Sequence, residues 1–142
     1  MSDGDVPPLA PSATVSYEFR DSSVPPPFHR SFVLVFDHTS ARIVVDSYGE
    51  VLADRSVSMP PEAWNLVADG FPALQELVLA DPEPGCTGGT GFAATVAEDG
   101  AVRLSVQGLA CGGVNSDAAD RLAEWVRPVR VLFPPMEVLA PE

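Results

Sequence analysis

Lysine is absent from this chain, and cysteine and histidine occur only twice each. Eight Arg face 20 Asp and Glu, so the formal net charge is −12. A surface of that sign repels the phosphates of nucleic acids and of anionic lipids, whereas a protein partner is compatible with it. We therefore predict no binding to nucleic acids or to membrane surfaces.

Long apolar runs are also missing, because none approaches the ~20 residues needed to cross a bilayer. The chain begins with MSDGDVPP, which is acidic and proline-rich and lacks the basic and apolar regions of a secretory signal. These absences predict a cytoplasmic protein, although a mature exported chain would read the same way. The length of 142 residues fits one domain.

Recognisable catalytic motifs are lacking as well. The chain contains neither the Gly-x-Ser-x-Gly elbow of hydrolases nor the His-Glu-x-x-His helix of zinc peptidases. His29 and His38 fall in no metal-ligand spacing. The segment Gly85–Gly91 matches neither glycine-rich phosphate motif and precedes a predicted strand. The sequence therefore predicts no catalytic residue, no metal site and no cofactor.

The two cysteines, Cys86 and Cys111, bracket a predicted β-hairpin, and glycines follow both. A two-residue turn at Asp99-Gly100 leaves the sulfurs one diagonal apart, and a four-residue turn places them directly opposite each other. A three-residue turn sends them to opposite faces of the sheet. The alternatives are a disulfide or close thiol pair, and two buried thiols that behave as small hydrophobic groups.

Apolar patterning predicts six strands. Period-two alternation marks the first strand after Thr14, and the continuous apolar run in Ser31–Phe36 predicts a central strand. Short turns join the first four strands into an antiparallel meander, while residues 1–13 read as a flexible tail with little to bury. The other predicted strands are Ala41–Asp46, Val51–Ser58, Phe92–Ala97 and Ala101–Gln107.

Two amphipathic helices are predicted. The segment Ser58–Glu62 supplies a capping hydroxyl and first-turn prolines, and the apolar stripe that follows extends to Val78 with an interruption at Pro72. The last helix begins near Asn115 and should kink or end at Pro128.

The predicted fold class is α+β, a two-layer sandwich in which an antiparallel six-stranded sheet carries two helices on one face, within a single domain over 14–142. The opposite face of the sheet is then open to solvent or to a partner. The loop 21–30 is the second candidate surface, because three consecutive prolines stiffen it. Its candidate binding residues are Pro25, Pro26, Pro27, Phe28, His29 and Arg30.

The order of elements, with Met59-Pro60-Pro61-Glu62 opening one helix and Asp120–Trp125 within the last, is similar to the layout of emfourin-like proteins. Those proteins are small inhibitors of thermolysin-type metallopeptidases. The resemblance extends over most of the chain as element order, assigns no functional residue, and implies inhibition of a protease.

Two functional hypotheses follow. Without a catalytic signature, the leading one is a non-catalytic domain that binds another protein, either inhibitor-like or regulatory. The alternative is a thiol-redox protein or an enzyme that uses Cys86 and Cys111.

Overall fold

The computed structural model describes residues 6–80, 88–111 and 113–142. Six strands lie within them: β1 (Ala13–Arg20), β2 (Ser31–Phe36), β3 (Ser40–Ser47), β4 (Glu50–Ser58), β5 (Thr90–Glu98) and β6 (Ala101–Ala110). They form one antiparallel sheet in the order β4-β3-β2-β1-β5-β6. The helices are α1 (Pro61–Gly70), α2 (Ser116–Arg130) and α3 (Met136–Leu139), with 3₁₀ segments at Pro26–Phe28 and Phe71–Glu76.

This arrangement confirms the predicted α+β fold with a six-stranded sheet. Alternate side chains of the inner strands point to one face, which makes that face apolar. The buried residues of α1 and α2 join it in a single hydrophobic cluster. No helix in the described part of the chain is both long enough and apolar enough to cross a membrane. The largest buried side chains of the sheet are Val15, Leu34, Phe36, Ile43, Val45, Phe92 and Val96.

The first strand lies in the middle of the sheet, because β5 pairs with its free edge. Val15 faces Phe36 of β2 on one side and Val96 of β5 on the other. The meander β1 to β4 and the hairpin formed by β5 and β6 therefore meet along β1.

Two hairpins close with two-residue turns whose central residues both have positive φ. Tyr48 and Gly49 have φ of 48° and 93°, and Asp99 and Gly100 have φ of 52° and 81°. Such turns match the right-handed twist of the flanking strands. The positive φ predicted for the glycine of the first turn is confirmed.

The helix layer depends on Pro72. Because proline has no N–H, the carbonyl of Ala68 lacks its usual donor, and the N–H of Phe71 bonds to it instead. The carbonyl of Val67 is thereby left to the indole N–H of Trp125, which donates to it over 2.8 Å in the buried core. This bond joins α1 to α2.

Parts of the helix prediction were wrong. Ser58 is the last residue of β4 and does not cap α1, because Pro60 occupies the N-cap position. Val78 is 82% exposed, since the backbone has already become extended at Leu77. Of the two outcomes predicted at Pro128, a kink or an end, the end does not occur, because α2 continues to Arg130. Pro128 has no N–H to donate to the carbonyl of Glu124. Glu124 is exposed, so water can bond to that carbonyl instead.

The chain before β1 is not the flexible tail predicted for 1–13, as far as the structure describes it. Leu9 is buried, and its N–H donates to the carbonyl of Ala68 at 3.2 Å. The N–H of Ala10 donates to the Glu98 carboxylate at 2.8 Å. The few apolar residues among these prolines have no periodicity, so this docking leaves no local signal in the sequence.

A bulge in β6 places an extra residue next to this segment. Val96 pairs with Leu104, but Ala97 pairs with Val102, so Arg103 has no partner residue in β5. A bulge of this kind bends the strand and redirects a side chain.

The Arg103 guanidinium contacts three parts of the chain. Its Nη1 lies 3.1 Å from Oε2 of Glu98, its Nη2 donates to the carbonyl of Pro7 at 3.2 Å, and its Cζ lies 4.8 Å from the centre of the Phe71 ring. The cluster ties the N-terminal segment to the hairpin and to the helix layer.

Trp125→Phe should lower the free energy of unfolding by about 1–3 kcal/mol, because it leaves the buried carbonyl of Val67 without a donor. Urea unfolding followed by circular dichroism measures the change. Trp64→Phe, which removes the other core indole, is the matched control and should cost less. Equal losses for the two variants would mean that the Trp125 bond contributes no more than side-chain volume.

Glu98→Gln should flatten the acid side of the stability curve. The hydrogen bond from Ala10, with a further contribution from Arg103, holds the pKa of Glu98 below its usual value. A carboxylate whose pKa is lowered by folding stabilises the protein above the unfolded pKa of about 4.3. That contribution is lost as the pH falls through the folded pKa.

Urea midpoints between about pH 6 and pH 3 test this expectation. The exposed carboxylate variant Glu50→Gln is the control. Parallel curves for wild type and Glu98→Gln would contradict it.

Candidate functional site

The loop 21–30, called here the proline loop, is closed at its base by polar contacts. The N–H of Asp21 donates to Oγ of Ser31 at 2.9 Å, and the N–H of Arg30 donates to Oδ2 of Asp21 at 3.0 Å. These two hydrogen bonds fix the ends of the loop to each other.

The tip of the proline loop is anchored to the turn between β3 and β4. The hydroxyl of Tyr48 donates to the carbonyl of Val24 at 2.6 Å, and the hydroxyl of Ser47 donates to that of Pro26 at 2.7 Å. The ring of His29 stacks on that of Tyr48 with 3.9 Å between centroids and 23° between planes. These contacts hold a short 3₁₀ turn whose prolines already restrict its backbone.

The side chains of His29 and Arg30, two of the predicted binding residues, are engaged by other parts of the chain. The imidazole of His29 is buried, and its Nδ1 has no hydrogen-bond partner in the described part of the chain. The guanidinium of Arg30 donates to the carbonyls of Ala140 and Pro141 at 2.8 and 2.9 Å and to the carbonyl of His29. Because Ala140 and Pro141 follow α3, these bonds fix the end of the chain to the proline loop.

The segment 25–28 of the proline loop and the adjoining turn face solvent. Phe28 is 54% exposed and Tyr48 is 57% exposed, and the three prolines are exposed beside them. We call this set the proline–aromatic surface. Tyr48 is not among the residues predicted from the sequence, because a tyrosine in a turn is more often part of the core than of a binding surface. The surface consists of Pro25, Pro26, Pro27, Phe28 and Tyr48.

The second predicted surface, the sheet face opposite the helices, is also open. Val33, Val35 and Val44 lie on it around a shallow concavity of about 510 Å³. At its rim, Nη2 of Arg42 lies 2.6 Å from Oδ2 of Asp54, and this hydrogen bond holds the pKa of that carboxyl below its usual range. The concavity has an apolar floor and paired charges, so it offers little for orienting a small molecule.

Only one of the two predicted cysteine partners can be placed. Cys86 lies outside the described residues, so its pairing stays a prediction, whereas Cys111 is 5% exposed and its backbone bonds to that of Val114. A two-residue turn without a bulge would place Thr90 opposite Leu109. The bulge in β6 shifts the register by one residue, and Thr90 faces Ala110.

Thiol titration of the denatured, unreduced protein separates the remaining alternatives for the cysteines. A disulfide gives no free thiol, and two buried thiols give two.

No group of three or more His, Cys, Asp or Glu side chains suited to a metal ion occurs within residues 6–80, 88–111 and 113–142.

Comparison with known proteins found no matching family model, no curated protein of significant similarity and no significantly similar solved structure. The similarity to emfourin-like proteins therefore continues to rest on the order of elements.

Tyr48→Phe and Ser47→Ala each remove one anchor of the proline loop. We expect faster hydrogen exchange at the amides of Phe28 and His29, whose N–H groups bond to the carbonyl of Pro25. The free energy of unfolding should fall by less than about 1 kcal/mol, because each variant loses one hydrogen bond to a carbonyl of the loop and leaves the core packing intact. Amide exchange followed by NMR provides the measurement, and unchanged rates in both variants would show that the loop is fixed by its prolines alone.

Proposed function

We propose that this chain is a non-catalytic protein-binding domain that recognises its partner through the proline–aromatic surface. The supporting observation is that Phe28 and Tyr48 are exposed while the backbone beneath them is anchored. Exposed aromatic side chains without an anchored backbone would be ordinary surface residues.

Anchoring matters because association costs conformational entropy. A loop that is already fixed in its binding conformation loses little freedom when a partner binds, so more of the contact energy appears as affinity. Prolines remove backbone freedom in the free protein too. Two exposed rings on such a support have the character of interface anchors.

The net charge of the chain limits the kind of partner that can bind the proline–aromatic surface. The chain carries a net charge of −12, and Arg30, the one cation of the proline loop, is occupied by carbonyls of the chain itself. A complementary partner would therefore present an apolar pocket for the rings within a neutral or basic surface.

Inhibition of a protease is one form of this function. The similarity in element order to emfourin-like proteins suggests a thermolysin-type metallopeptidase as the first enzyme to test. Titration of that enzyme with the chain should lower its activity in a saturable way if the domain is inhibitor-like. Unchanged enzyme activity would favour a regulatory partner instead.

Phe28→Ser should weaken partner binding by at least about tenfold while leaving the fold intact, because an exposed anchor ring is lost and the backbone anchors remain. A photo-crosslinking amino acid at position 28 should capture the partner from a native lysate, and calorimetry with the purified partner gives the affinities.

The matched control is Leu66→Ser, since Leu66 is 62% exposed but lies on α1 in the helix layer. Equal affinities for wild type and Phe28→Ser, or equal losses for the two variants, would contradict the proposal.

A further inference from the structure

The two edges of the sheet are protected to different degrees. The outer strand β4 carries Glu50, Asp54 and Arg55 and is interrupted by a bulge at Leu52. Charges and bulges are the usual devices that keep an edge strand from pairing with another chain. In β6 the bulge lies near the start, and the stretch from Leu104 to Ala110 contains neither a charge nor a proline.

The outer backbone groups of β6 are available for pairing. The carbonyl of Leu109 accepts a bond from Nδ2 of Asn115 at 3.1 Å, so it points away from β5. Outward and inward groups alternate along an antiparallel strand, and this places the N–H and C=O groups of Ser105 and Gln107 on the same outer edge. Both residues are exposed, and within residues 6–80, 88–111 and 113–142 no strand pairs with that edge.

Carboxylates lie at both ends of this edge. Asp99 occupies the turn that precedes β6, and Asp117 and Asp120 lie in the first turns of α2, directly after the Asn115 that contacts the strand. Arg121 pairs with Asp117 at 3.1 Å and neutralises one of the three. Arg103, the one cation of β6, points into the cluster with Glu98 rather than along the edge.

We propose that β6 binds an extended segment of a partner protein, which adds to the sheet as a further strand. The middle of that segment is uncharged and pairs with the outward N–H and C=O groups of Ser105 and Gln107. Its two ends carry Lys or Arg, which lie near Asp99 on one side and near Asp117 and Asp120 on the other. This surface is separate from the proline–aromatic surface and does not depend on the function proposed for it.

A second copy of the chain fits the edge poorly. Antiparallel pairing of β6 with itself would place Asp99 of one copy beside Asp117 and Asp120 of the other, at both ends of the interface. Each copy also carries a net charge of −12, so the two would repel each other. Charge complementarity therefore selects a basic segment.

Three synthetic peptides test the proposal. The first has alternating Thr and Val in its middle and two Lys at each end, the second has Glu in place of Lys, and the third keeps the Lys but has prolines in the middle. Binding is measured by fluorescence anisotropy, and hydrogen exchange at the amides of Ser105 and Gln107 is measured by NMR.

We expect the first peptide to bind at least about tenfold more tightly than the other two and to slow exchange at both amides. Gln107→Pro removes an outward N–H without removing a bond to β5, and it should abolish binding while the fold persists. Ser56→Pro on the opposite edge strand is the matched control and should bind as wild type does. The exchange measurement on the wild-type chain keeps the test valid if Gln107→Pro does not fold.

Equal binding of the Lys and Glu peptides would overturn the charge assignment, and equal binding of the proline peptide would overturn strand addition. Light scattering that shows a dimer of the free protein, which Gln107→Pro dissociates, would assign the edge to a second copy and overturn the proposal as well.

Discussion

The hydrogen bond from the Trp125 indole to the carbonyl of Val67 is the constraint on which the helix layer depends. Pro72 has no N–H for the carbonyl of Ala68, so the N–H of Phe71 bonds to that carbonyl instead. The buried carbonyl of Val67 is then available to the Trp125 indole of α2. A buried carbonyl without a donor is costly, so the position of α2 over α1 is set by polar geometry as well as by apolar packing. Both helices, held in this way, cover the same face of the sheet, and within the described ranges 6–80, 88–111 and 113–142 no further strand pairs with either edge.

Polar contacts at each end of the sheet fix a segment that lies outside the strands. At one end, Tyr48 in the turn between β3 and β4 bonds to the proline loop and stacks on its His29, so the hairpin holds the loop in place. At the other end, Arg103 and Glu98 hold the segment before β1 against the β5–β6 hairpin. Both arrangements hold a segment at the surface in one conformation through polar contacts.

Features with a local period were predictable from the sequence, and features that depend on distant contacts were not. Strand alternation, the Gly49 turn and the helix interruption at Pro72 all follow from residues near one another in the chain. The docking of Leu9 depends on a partner carbonyl in α1, and the bulge at Arg103 depends on contacts with the helix layer, so neither leaves a local signal. At the candidate site, the three consecutive prolines were visible in the sequence, but the hydrogen bonds of Arg30 were not predictable, because the carbonyls of Ala140 and Pro141 come from the other end of the chain.

The central place of β1 in the sheet also bears on the order in which the molecule assembles. Strands β1 to β4 pair with sequence neighbours, whereas Val15 meets Val96 only when the chain closes a long loop. Closing such a loop costs entropy before its contacts form, so the meander has a kinetic advantage and the β5–β6 hairpin joins it afterwards. Until that happens, β1 is itself an unpaired edge, and the time spent in this state sets how long the folding chain is exposed to aggregation.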